Sequence, residues 1–172
     1  EFFETTNISN SAVDITGWYF DDDSRTPTVA IGNFFGVLAA NESVIVTEMS
    51  AAAFRTYWGL DSSVRVFGGN TVNFGNGDEV NLYSSNSASD LVDRFTYSNG
   101  TAPGVSRNRP LGAGGQGFAY SATGDSYGSA YAGVAGQSDL ANPGSYPVVA
   151  AAPVPEPASW ALMIGGFALL GA

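Results

Sequence analysis

Apolar and polar positions along this chain alternate in short runs, and turn signals interrupt them roughly every ten residues, a spacing typical of packed β-sheets. Residues 1–8 (EFFETTNI) alternate in part and carry the β-branched and aromatic side chains that suit a strand. A turn cluster follows at 7–11, and a second strand region spans 13–20, with Gly17 placed as a bulge or bend. Short apolar runs at 28–31 and 33–38 precede 43–48, SVIVTE, whose unbroken apolar stretch predicts a buried strand.

One internal helix is predicted. Ser50 stands where an N-cap would, residues 51–58 (AAAFRTYW) make two turns, and Gly59 stops them. Phe54, Tyr57 and Trp58 fall at i, i+3 and i+4, so one face is aromatic and reads as a lid on the sheets. Strands are predicted at 64–67 and 71–74, with the Asn76-Gly77 turn favouring a hairpin into 79–83. Residues 79–83 and 91–97 alternate polar and apolar. Ten glycines between residues 98 and 136 point to irregular edge structure, with strand-like pieces at 117–121 and 126–131. Asn142-Pro143-Gly144 is a turn, and residues 148–154 form an Ala/Pro/Val linker of extended character. The sum is a β-sandwich with one short helix.

Composition narrows the chemistry sharply. Among 172 residues there is no cysteine and no histidine, and the six basic residues are all arginine. Nucleophilic systems built on cysteine or on a serine–histidine pair are therefore excluded, as are lysine Schiff bases and histidine proton shuttles. Zinc, copper and non-haem iron lose their usual nitrogen and sulfur ligands. Only carboxylates, hydroxyls and arginine remain to run a reaction, which makes an enzyme the least favoured class. The net charge of −10 repels phosphate backbones and anionic lipid, so no nucleic acid is expected as a partner. Glu1 reads as a start left by removal of a leader.

Candidate sites are few. Asp21, Asp22 and Asp23 with Asp14, or Asp78 with Glu79, could supply oxygen ligands to calcium, although neither set has the spacing of a known calcium loop. Solvated strand-end carboxylates explain them better, and no other cofactor is expected. Asp90 and Asp93 could be imagined as an acid pair for glycoside hydrolysis, but Asp93 is better read as structural. Arg107 and Arg109 could hold an anionic sugar, though surface ion pairs are the commoner use. Trp18, Phe54, Tyr57 and Trp58 could stack on carbohydrate, and core packing accounts for them more simply.

The C-terminal stretch has its own character. Pro155-Glu156-Pro157 forces extended backbone, and residues 158–172 (ASWALMIGGFALLGA) carry no charge and suit an apolar helix with Trp160 as an interfacial anchor. Fifteen helical residues reach ~22 Å, short of a ~30 Å hydrocarbon core. Pro155, Glu156, Pro157, Trp160 and Ala161 with the apolar run resemble PEP-CTERM sorting signals of Gram-negative bacteria, of the Pro-Glu-Pro-x-x-Trp-Ala subclass. That resemblance implies recognition by an exosortase-type machinery and export to the cell surface or exopolysaccharide matrix. The basic cluster that closes the family pattern is not in this sequence.

The body resembles the lamin-tail domain, an immunoglobulin-like β-sandwich of nuclear lamins and secreted bacterial proteins. The opening motif is met by Asn7, Val13, Asp14, Ile15, Gly17 and Trp18. A later pair is met by Gly77, Asp78, Val80, Leu82 and Tyr83, then Val92, Asp93, Phe95 and Tyr97. The resemblance covers residues 1–147 and implies an interaction module without shared catalytic residues. The expected organisation is therefore all-β: a lamin-tail-like sandwich over 1–147, a linker over 148–154, and a sorting or anchor segment with an apolar helix over 155–172. The expected function is that of a non-enzymatic exported surface or matrix protein. Alternatives are a filament subunit that polymerises through strand edges or its tail, and an adhesin binding calcium or exopolysaccharide.

Overall fold

A computed structural model of the chain describes residues 1–100, 102–110 and 117–147. The linker at 148–154 and the segment 155–172, with Pro155, Glu156, Pro157, Trp160 and Ala161, lie outside the described residues.

Nine strands and two α-helices, with one 3-10 turn at Ala88–Asp90, fill residues 1–97: β1 (Phe2–Thr6), β2 (Val13–Asp14), β3 (Tyr19–Asp21), β4 (Val29–Ala30), α1 (Gly32–Phe35), β5 (Val37–Leu38), β6 (Ser43–Thr47), α2 (Ala51–Trp58), β7 (Arg65–Gly68), β8 (Asp78–Tyr83) and β9 (Leu91–Tyr97). One sheet has the order β1-β6-β7 and another β4-β3-β8-β9, with β2 and β5 paired apart. The two larger sheets face each other across a core. Phe3, Val44 and Val46 come from one and Phe20 and Leu82 from the other, joined by Ile15, Ile31, Phe35, Leu38 and Phe74. The Phe3 ring meets Phe20 at 4.9 Å and Phe74 at 5.7 Å, both edge to face.

The unbroken apolar run in β6 is explained by burial on both faces. Val44 and Val46 point into the sandwich, while Ile45 turns outward with Val66 to meet Phe54 of α2. Helix α2 forms as its caps dictate: Ser50 Oγ accepts the Ala53 N–H, and Gly59 takes a left-handed φ of 68°. It packs as a lid, with Phe54 buried and the Phe2 ring 5.1 Å from Phe54 and 5.9 Å from Trp58. The same helix carries the chain over the sheet, so β7 returns parallel to β6.

Three expectations need correction. A second helix, α1, interrupts the apolar run at 33–38, where the helix at 51–58 was the only internal one expected. It nests against the 15–18 turn so closely that a Cβ on Gly32 would collide with Ile15 O and Trp18 N. Residues 71–74 form no strand, and Phe74 instead buries its ring in the core. The Asn76-Gly77 turn consequently makes no hairpin with that stretch; β8 pairs antiparallel with β3 and β9.

After residue 100 the strands shrink to two residues each: β10 (Arg107–Asn108) with β11 (Ala119–Tyr120), and β12 (Ala130–Tyr131) with β13 (Leu140–Ala141). Residues 104–106 run beside β13, with Leu140 N–H donating to Gly104 O at 2.7 Å and Ser106 N–H to Leu140 O at 2.9 Å.

Candidate interaction groove

Strand β1 ends one sheet and β9 ends the other, and neither edge is covered by a further strand among the described residues. Glu48 N–H donates to Glu1 O and Asn7 N–H to Glu42 O, so odd-numbered residues of β1 face β6. Antiparallel alternation then turns the N–H and C=O groups of Phe2, Glu4 and Thr6 to the free edge. Along this side runs a groove of about 1520 Å³. Val80, Leu82 and Phe95 contribute to its lining, and Ile8 and Val92, 70% and 50% exposed, are apolar positions on its wall.

The segment of residues 102–110 and 117–147 bridges the two edges. On the β9 side, the Arg109 guanidinium pairs with Asp93 (Nη1 to Oδ2 3.0 Å), lies 5.7 Å from the Phe95 ring and donates from Nη2 to Arg94 O at 2.8 Å. Arg107 stacks over Tyr97 at 4.9 Å, with Phe118 at 5.7 Å and Tyr120 at 6.0 Å. A guanidinium enclosed by rings is held by their quadrupoles and by packing of its stem. On the β1 side, Tyr57 O–H donates to Asp139 Oδ2 at 2.7 Å, and the Asp139 carboxylate pushes that phenol above its ordinary pKa. Gly144 N–H donates to Glu4 Oε2 at 2.6 Å.

Glu4 is the unusual group here. The residue is only half-buried, yet its Oε1 is shut off from solvent and has no hydrogen-bond partner. Burial drives its pKa up to about 7, while the Gly144 N–H and the Ser43 hydroxyl pull it back only part of the way. Sequence reading passed over Glu4, since a lone glutamate between Phe2 and Thr6 looks like the polar side of an edge strand. Its burial comes from Gly144, 140 residues away in the chain.

The sequence candidates sit elsewhere. Asp21 is buried and builds its own turn, accepting from Ser24 Oγ (2.5 Å), Thr26 N–H (2.7 Å) and Thr28 Oγ1 (3.0 Å). Asp22 caps Ser24 N–H, Asp14 caps Thr16 N–H, and Asp78 holds Gly75 N–H at 2.6 Å and Asp23 N–H at 3.3 Å. Among the described residues no three acidic side chains gather as metal ligands would. Glu79 takes a two-pronged contact from Arg25 (3.0 and 2.9 Å), with Asn81, Thr96 and Arg94 around it, and Arg25 foremost lowers its pKa to about 2. Asp90 accepts from Ser85 and Ser89 in the loop before β9, while Asp93 is taken up by Arg109. Of the aromatics, Phe54 and Trp58 pack under α2 and Trp18 packs on the sandwich core.

No curated protein and no solved structure shows a significant match to the chain. The family model of the lamin tail domain matches residues 1–99, the span that holds both large sheets and their core, and the mostly-β architecture is consistent with its immunoglobulin-like sandwich. More than half of the chain is covered by that match, and the chain belongs to the lamin tail domain family.

Proposed function

We propose that this protein is a non-enzymatic interaction module that holds an extended segment of a partner protein in the groove beside β1. The observation that supports this reading is the free edge of Phe2, Glu4 and Thr6 lying along a large apolar-walled groove. A strand added there gains backbone hydrogen bonds from the edge and side-chain contacts from the wall. The lamin tail domain is a non-catalytic fold, which agrees with the absence of histidine, cysteine and lysine from the sequence. On this reading residues 155–172 serve as the sorting label that delivers the module to the cell surface or extracellular matrix.

Short random peptides displayed against the purified protein should yield apolar, β-branched binders. Thr6→Pro removes an N–H that faces the groove and leaves the backbone pairing with β6 intact, losing besides only the 2.7 Å Thr6 Oγ1–Ser43 Oγ contact, and should weaken the selected peptides roughly tenfold. Equal binding by Thr6→Pro, or no selected peptide, overturns the groove as the site. Concentration-dependent assembly that Thr6→Pro abolishes would make the partner segment a second copy's own. For the label, the intact mass of protein recovered from its native cell surface should end near Pro157; a cytoplasmic protein with its tail intact overturns the export.

A further inference from the structure

We propose that Glu4 is a proton-operated latch: uncharged, it keeps residues 139–147 docked on the β1-β6-β7 sheet, and ionised, it releases them and widens the groove. The device rests on the groove reading only for its consequence; the latch itself stands on the contact between Glu4 and Gly144. That contact joins the first strand to the far end of the described chain by one short hydrogen bond of 2.6 Å. Gly144 fits there tightly, at a φ of 82°, and even a Cβ would press on Val64 Cγ1 at 3.2 Å. The Oε1 of Glu4 is itself shut off from solvent and is left with no partner.

The two protonation states are unequal in such a place. An uncharged carboxyl leaves a hydrogen bond unmade at Oε1, whereas a carboxylate leaves part of a charge unsolvated, a far larger penalty. One backbone N–H favours the charged form but cannot offset that loss alone. Among the described residues no counter-charge bonds to the Glu4 carboxyl. On α2, Arg55 Nε is committed to Val64 O at 2.9 Å and Tyr57 to Asp139 of the docked segment. On β7, Arg65 is paired with Glu42, and β6 offers only the Ser43 hydroxyl. At the end of β1, the Glu1 amino group faces Glu48 and its carboxylate takes Phe74 N–H.

The sign follows from where the proton is held more tightly. Docked, Glu4 titrates at about 7, and released it returns to the ordinary 4.5. The released form therefore sheds its proton first, and docking weakens as pH rises from 4.5 to 7. Above 7 the full penalty applies.

Hydrogen exchange of peptides covering residues 139–147, corrected for intrinsic rates, reads the latch without any ligand. From about pH 5 to about pH 8 their protection should fall ~70-fold in the native chain, the ratio these two titrations give. Glu4→Gln, which keeps an acceptor for Gly144 but cannot ionise, should hold protection constant over the same range. Equal protection at both pH values in the native chain, or the same fall in Glu4→Gln, overturns the latch and leaves the groove untouched. Should Glu4→Gln not fold, a carbon-detected titration of Glu4 in the native chain decides: a midpoint near 7 supports the latch, and one near 4.5 ends it. Loss of peptide binding with the latch intact would instead strike at the groove.

Discussion

Residues 1–99 and the segment of residues 102–110 and 117–147 meet across one groove, yet different forces hold them. The first region has a core in which Phe20, Ile31, Val44, Ile45, Val46, Val66 and Phe54 are almost wholly buried. In the second, the buried side chains include Ser121 and Ser129, tied to one another at 2.8 Å and to Ser106 and Asp125. Its four strands have two residues each, too short to stand alone as sheets. The remaining fastenings are a few buried apolar side chains (Tyr127, Ala132, Leu140 and Ala141), arginines on rings and single hydrogen bonds to the first region. Apolar burial is non-directional and cooperative, whereas each polar fastening yields only ~1 kcal/mol net and can be lost singly. The first region therefore folds on its own core, and the second docks on it. The family match ends at residue 99, where that core ends.

The largest expected effect breaks the first region. Phe20 is fully buried between the sheets and touches the rings of Phe3 and Phe74. Phe20→Ala removes that ring from the centre and should cost about 3–5 kcal/mol in denaturant unfolding. Both regions should unfold with it, since the second has only a few buried apolar side chains of its own among the described residues. Survival of the Tyr127–Tyr146 ring contact after the sandwich has melted, followed by near-ultraviolet dichroism, would contradict that order of dependence.

A second, smaller effect separates two glutamates. Glu79 lies within the first region, and its pKa is lowered to about 2, chiefly by Arg25. Its contribution is fully present above about 4.5 and is lost as pH falls towards 2. Because the Arg25 side chain is 57% exposed, the loss is discounted to about 2 kcal/mol. Glu79→Gln should flatten the acid limb of the stability curve. Glu4, at the junction, should act in the opposite direction and at higher pH. An unchanged acid limb in Glu79→Gln would assign acid sensitivity to other carboxylates.

What the sequence reveals follows the same division. Strand β6, the caps of α2 and the alternation in β8 and β9 are local patterns, and each appears in the structure where those patterns place it. Helix α1 escapes because its cause is tertiary: it packs so closely on the 15–18 turn that only a glycine fits at position 32. The stretch 71–74 has strand composition, but it pairs with no strand and Phe74 is drawn into the core instead. Asp21 is chemically a ligand type, yet its oxygens are already occupied by Ser24, Thr26 and Thr28. The groove leaves no local trace at all. Its edge, its walls and its bridging segment come together from residues more than a hundred positions apart, and glycine-rich sequence after 98 gives no periodicity from which to place them.

The smallest effect tests whether docking is separable from folding. Tyr57 projects from α2, and its hydroxyl is the link to Asp139 at 2.7 Å, with Gln137 Oε1 at 3.1 Å. Tyr57→Phe keeps the ring against Trp58, which it meets at 5.5 Å, and removes only the donor. Asp139 is partly exposed and regains water when the bond is lost, so the cost should be about 1 kcal/mol. If docking is separable, that cost falls on the second region alone. Proteolysis within residues 117–147 should then quicken about fivefold, while the denaturant midpoint of the sandwich stays put, because cleavage follows the population of the released form. An equal shift in both measurements would make the two regions one cooperative unit, and the groove a fixed cleft in it, not a space bounded by a movable wall.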